Sequence, residues 1–369
     1  MNVGIYHGKA GTRSAGGKAI FVQELARRLA ANHRVFLYTE RGPLTTKLLD
    51  SDVEVVQVPP IRKGPLDDGV ASLGAYGRGP LVNLRAFTDA FRAGAVSHMN
   101  EHLDVLCTHH YLDDLLLSNA VSVPVVYQYH MLASPGLGAG IRERFTATDY
   151  HLANSKSIAR AVRETYGRQV DDIITPGVDT EQFHPDAEPA FEHPDPVVLY
   201  VGRIVPEKGV FELVDAVARL DDARLYVVGR GEYETLEDRA AGRGIADRVR
   251  TFGPVDHHEL HRYYTAGDVV CYPSHYETFG LVNVEAMACG VPVVTTDTPG
   301  IREYADHDET NLLVEPGNVD ELTDALDRVL TSPAVRERLA WGGRERALDY
   351  DWDRQIDRLE TFCERTVLA

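Results

Sequence analysis

A chain of 369 residues, 44% of them apolar, exceeds one ordinary core, and general disorder is not expected; two domains suit it. The formal net charge of −18 sets up a field that repels nucleic acid, so DNA and RNA partners are not expected. No run of about 18 apolar residues occurs, and no basic segment leads a long apolar one at the start, so neither a membrane span nor a secretory leader is expected.

The first half alternates strands and helices. Val3–His7 reads as a strand, a glycine-bearing loop follows, and Lys18–Ala31 has a helical apolar period through Ile20, Phe21, Leu25 and Leu29. Val35–Tyr38, Val53–Val58, Val105–Thr108, Val123–Tyr129 and Tyr150–Asn154 read as further buried strands. His184–Pro196, with four prolines and four acids, is the best linker candidate. The pattern then restarts with strands Val197–Val201, Leu225–Gly229, Val249–Phe252, Val269–Tyr272 and Val293–Thr295. Helices are expected at Gly209–Leu220, Glu232–Gly242, His257–Ala266, Gly280–Cys289, Asp320–Thr331 and Pro333–Ala347. Such alternation predicts α/β architecture with two Rossmann-like, doubly wound domains, residues 1–185 and 186–351. Ligands of such sheets sit at the carboxyl ends of strands.

Four segments carry candidate chemistry. In Pro273–Pro292, Glu277 lies in a loop and Glu285 eight residues later on a helix that starts at Gly280, so both carboxylates can face one elongated ligand. A carboxylate accepts two hydroxyl donors, which suits vicinal diols, and the first amides of the helix, at Gly280, Leu281 and Val282, suit a phosphate. Arg203 and Lys208 flank a second loop that follows a strand and opens a helix. Gly11–Lys18 imitates a P-loop, but its lysine comes one residue late, and Ala19 stands where a Ser or Thr would hold magnesium. His130 ends the strand Val123–Tyr129. Two segments look like metal sites and are read as decoys: His257-His258-Glu-Leu-His261, and the Asp-x-Asp pairs at Asp306/Asp308 and Asp351/Asp353. Cys107, Cys271, Cys289 and Cys363 match no zinc or redox spacing, so reduced thiols in a cytoplasm are the expectation.

The segment Pro273-Ser-x-x-Glu277-x-Phe279-Gly280…Glu285-Ala-x-Ala-x-Gly-x-Pro292, together with Gly202-Arg203…Lys208-Gly209, strongly resembles the retaining family 4 glycosyltransferases of the GT-B fold. The resemblance implies roles. Glu277 would bind hydroxyls of the transferred sugar and Glu285 the ribose diol. The amides after Phe279, with Arg203 and Lys208, would grip the diphosphate, and Gly16 and Gly17 would lie close to the phosphates and acceptor. Val255 would lie beside the base, and His130 near the reaction centre. It further implies front-face substitution without a metal or other cofactor, a nucleotide-diphospho-sugar donor, and a final helix at 352–369 that packs back on the first domain. The acceptor would be a glycan, a lipid-linked sugar or a small molecule, met by the loops Arg62–Pro80 and Ser134–Arg144, with peripheral attachment to the inner membrane face if it is a lipid. Two alternatives stay open: a nucleotide-sugar epimerase on the same fold, and a silent binder of a nucleotide-sugar or glycan.

Overall fold

The computed structural model describes residues 1–8, 10–11, 17–58, 94–132 and 142–368. Gly16 and the loop Arg62–Pro80 lie outside these residues, as does 134–141 of the second expected acceptor loop.

The chain forms two units, Met1–Thr175 with Ile356–Ala369, and Pro176–Gln355. The first holds seven strands: β1 (Asn2–Tyr6), β2 (Arg34–Glu40), β3 (Glu54–Val58), β4 (Val105–Thr108), β5 (Val125–Tyr129), β6 (Tyr150–Ala153) and β7 (Asp172–Ile173). They pair in the order β3-β2-β1-β4-β5-β6-β7, all parallel. The second holds β8 (Val197–Val201), β9 (Arg224–Val228), β10 (Val249–Gly253), β11 (Val269–Tyr272), β12 (Val293–Thr296) and β13 (Leu312–Val314). Their order is β10-β9-β8-β11-β12-β13, again parallel.

The physical reason is legible in the strands themselves. β4, β8, β11 and β12 are buried at every position, as strands covered by helices on both faces must be. Each fully buried Val or Leu contributes about 1.5–3 kcal/mol relative to exposure, so these short runs anchor their units. Two strands lay below the reach of sequence patterning: β7 has two residues and β13 three.

Residues 184–196, expected as a linker, instead belong to the second unit. Phe191 stacks on Phe252 at 5.2 Å, and the ring of His193 meets the carbonyl of Ala266 at 2.8 Å. The prolines there shape an irregular packed segment. Near its end the chain returns to the first unit: Tyr150 Oη donates to the Thr366 carbonyl at 2.8 Å, and His33 Nε2 lies 3.0 Å from Glu360.

In each sheet the strand order reverses beside the first strand, between β1 and β4 and between β8 and β11. Loops that leave adjacent strands there diverge to opposite faces and open a crevice at the carboxyl ends.

Candidate active site

In the second unit, the loop after β8 carries Arg203 and Lys208, and the loop after the neighbouring β11 carries Glu277. Gly209 fixes their approach. Its φ is +66°, and a Cβ there would stand 2.0 Å from the Pro273 carbonyl oxygen, so only glycine lets the two loops touch. Across that contact Lys208 Nζ and Glu277 Oε1 form an ion pair, with each side chain mostly buried. Tyr272 floors the pair, its ring 5.4 Å from Lys208 Nζ, and Tyr200 stacks behind it at 6.0 Å. Burial first, and then Glu277, hold the Tyr272 hydroxyl protonated well above its ordinary range. Arg203 is exposed, and its carbonyl accepts from Tyr200 Oη at 2.6 Å.

Gly280 caps the helix Leu281–Ala288 in the left-handed region, φ +81°, where a Cβ would strike Ile301 at 2.6 Å. As the first residues of that helix, Leu281 and Val282 present amides with no carbonyl one turn earlier. Phe279 is 2% exposed and packs on Tyr304 and Tyr350, so its side chain belongs to the core and only its position serves the site. Val255 lies half-buried against that core, in the loop after β10.

Glu285 and Glu277 have different surroundings. Glu285 is 3% exposed, with Oε1 2.6 Å from His257 Nε2 and Oε2 accepting from Tyr264 Oη at 2.8 Å. His257, read from the sequence as part of a metal decoy, is thus a carboxylate partner. The Asp-x-Asp pairs are structural: Asp306 pairs with Arg346, Asp308 with Arg328 and Arg338, and Asp351 accepts from Thr180. Among the described residues no group of three or more His, Cys, Asp or Glu is placed to hold a metal. All four cysteines are buried and unpaired by disulfides.

In the first unit a second polar cluster occupies the matching crevice. His130 follows β5, is 8% exposed, and its Nε2 lies 3.0 Å from Nδ1 of His109, which follows β4. Phe21 packs edge-on against both rings. Burial, with Lys18 adding to it for His130 and His7 and Lys18 for His109, pushes both imidazoles well below their ordinary pKa and keeps them neutral. His109 Nε2 and His110 Nδ1 are buried with no hydrogen-bond partner among the described residues. Gly17 opens the helix Gly17–Leu29 with open space where a Cβ would stand. His109 and Asp113 escaped sequence reasoning, and Lys18 was read only as the late lysine of a P-loop-like run, although adjacent histidines after a strand's carboxyl end are the available signal.

Asp113 is the unusual acid here. Burial, opposed by Lys18 and reinforced by Glu40 and Asp114, raises its pKa to about 7 from 3.8. The folded chain therefore holds that proton where the unfolded chain releases it, and stability falls as pH rises from about 4 to about 7. Asp113→Asn is expected to raise Tm near pH 8 and to raise it clearly less near pH 5, where part of the penalty is still to come. Equal shifts at both would refute the assignment.

Two parallel, doubly wound units, one with a lysine and glutamate paired at its switch point, define an enzyme of the GT-B class. The chain belongs to the family 4 glycosyltransferases: residues 15–182 match the model "Glycosyltransferase Family 4" and residues 183–346 the model "Glycosyl transferases group 1". It is 31% identical over 396 positions to D-inositol 3-phosphate glycosyltransferase of Thermomonospora curvata, spanning 95% of this chain and 90% of that protein. Among solved structures it resembles sucrose-phosphate synthase from Thermosynechococcus elongatus, at TM-score 0.82 and 23% identity, with 99% of this chain and 98% of that one covered. It also resembles HepE from Anabaena in complex with UDP-glucose, at TM-score 0.80 and 20% identity, with 99% of each chain covered. The chain is accordingly a glycosyltransferase. No helix among the described residues is long and apolar enough to cross a membrane.

Proposed function

We propose that the enzyme moves a hexose-type sugar from a UDP- or GDP-sugar to a hydroxyl of its acceptor, with retention and without a metal. The observation that carries this reading is the Lys208–Glu277 pair at the β8/β11 switch point, beside Arg203 and the start of the helix Leu281–Ala288. A lysine about 4 Å from a phosphate charge gains roughly 4 kcal/mol at an effective dielectric near 20. Arg203 and the helix start, worth about +0.5 charge, add to it. Together they offset the charge that develops on a departing nucleoside diphosphate, the task a divalent ion performs elsewhere. Glu277 then accepts from sugar hydroxyls and Glu285 from the ribose diol. In the front-face reading, the leaving phosphate takes the acceptor's proton on the face where the new bond forms. The two neutral histidines, His109 and His130, offer ring nitrogens suited to neutral hydroxyls.

Likeness to the UDP-glucose complex of HepE and to a glycosyltransferase named for an inositol phosphate supports a nucleotide-sugar donor and a hydroxyl acceptor. A thermal-shift screen against UDP-, GDP- and ADP-sugars, followed by product analysis in EDTA, tests the proposal. A raised Tm with one donor and an axial-to-axial or equatorial-to-equatorial product are expected. Inverted product, strict dependence on added metal, or epimerised free donor would overturn it.

A further inference from the structure

The environment of Glu285 contains more than a ribose binder needs. A carboxylate removed from water costs several kcal/mol unless it is paired. Both oxygens of Glu285 are met by side chains from outside its own helix, Tyr264 and His257. An ionised carboxylate only accepts, so the short contact from His257 is a hydrogen bond only if Nε2 carries the proton. Two of the roughly four acceptor positions are then used, and the others stay open for two hydroxyls.

The two partners differ in kind. Tyr264 is fully buried and belongs to the core beneath the site. The His257 side chain is 21% exposed, and it opens the turn His257–Glu259 directly after the loop that carries Val255. Its ring also lies 5.4 Å from that of Phe183, which is 1% exposed, so the imidazole is braced on its inner side. One residue thus joins the loop after β10 to the carboxylate on the helix after β11.

We propose that His257 is a positioning residue for the donor nucleotide. It holds the Glu285 carboxylate in the orientation that leaves two lone pairs toward the ribose diol, and it ties that carboxylate to the loop beside the base. The inference rests on the reading of Glu285 as the ribose binder. It assigns His257 no contact with the reacting atoms, so its loss should act on donor binding and hardly on the chemical step.

The test uses the full chain and the nucleoside diphosphate, among UDP, GDP and ADP, that the wild type binds in calorimetry. His257→Ala is expected to weaken Kd roughly ten-fold and to raise donor KM by a similar factor, with kcat within about two-fold. His257→Gln places an amide donor at the same reach and should recover most of the loss. A residue that merely stabilises the fold would lower Tm without this split and without rescue by glutamine. Wild-type or tighter Kd in a folded His257→Ala, or glutamine no better than alanine, overturns the proposal. Should alanine fail to fold, His257→Phe fills the space without a donor and takes its place in the comparison. Glu285→Ala separates the two levels of the argument. If it weakens Kd and the His257 variants do not, only this inference fails; if Glu285→Ala binds as wild type, the ribose reading fails and this inference with it.

Discussion

Lys208→Ala is expected to lower kcat/KM for the donor on the order of 10²–10³-fold, the loss seen when one preorganised group is removed from a developing charge. Lys208 sits on the 3-10 turn Pro206–Lys208, locked by Gly209 against the end of β11, and over the Tyr272 ring. Its charge is therefore already in place, and a bound diphosphate need not reorganise it. The same variant should keep its fold. Glu277 would lose its partner while mostly buried, so some stability should go with it, about 1–3 kcal/mol. Lys208→Arg restores the charge with a wider, planar head and should recover only part of the rate. Steady-state kinetics alongside thermal melts check all of this. Turnover within about two-fold of wild type in Lys208→Ala would remove the lysine from the leaving-group role.

Asp114→Ala should cost about 3–5 kcal/mol of stability, the range for a buried pair broken on one side. Asp114 is fully buried, and so nearly is Arg142, whose Nε donates to Asp114 Oδ2 at 2.9 Å. Thr108, Thr146 and Thr148 hydroxyls donate to the same carboxylate, at 2.7, 3.1 and 2.8 Å. The Arg142 guanidinium lies 4.1 Å from the centre of the Tyr127 ring. Alanine would leave that guanidinium without its main counter-charge and three hydroxyls without their acceptor. Asp114→Asn keeps the shape and some hydrogen bonds, so it should lose less. Urea or thermal unfolding followed in the first unit reads the difference. A loss below about 1 kcal/mol for alanine would mean that water or Glu143 compensates.

Much of the fold was legible because parallel strands covered on both faces must be unbroken apolar runs. Val105–Thr108, Val197–Val201 and Val269–Tyr272 begin and end in the structure where their patterns do. The helix Ala95–His102 has no such signature, since its apolar side chains are few and its polar ones include His98 and His102. The site divides in the same way. Lys208, Glu277 and Gly280 announced themselves through local spacing around turns and a helix start. The pairing of Lys208 with Glu277 did not, because it joins residues far apart in the chain through the contact of two loops. Glu285 was legible as a candidate, but His257 and Tyr264, which complete its surroundings, come from the turn and helix after β10. No local pattern encodes that meeting. It follows from the tertiary packing of Phe183, Tyr264 and the helix Leu281–Ala288 in one core. The network around Asp114 was missed for a like reason: its threonines and arginine are ordinary residues until the fold gathers them.

The first unit is discontinuous in sequence, and its last piece is 356–369. During synthesis, residues 1–175 leave the ribosome before the second unit, yet Ile356, Leu359 and Phe362, which are buried in the folded protein, follow it. The second unit, by contrast, is one continuous stretch that can close as soon as it emerges. The order of maturation should therefore invert the order of translation, with the N-terminal unit waiting on residues 356–369, which follow the whole second unit.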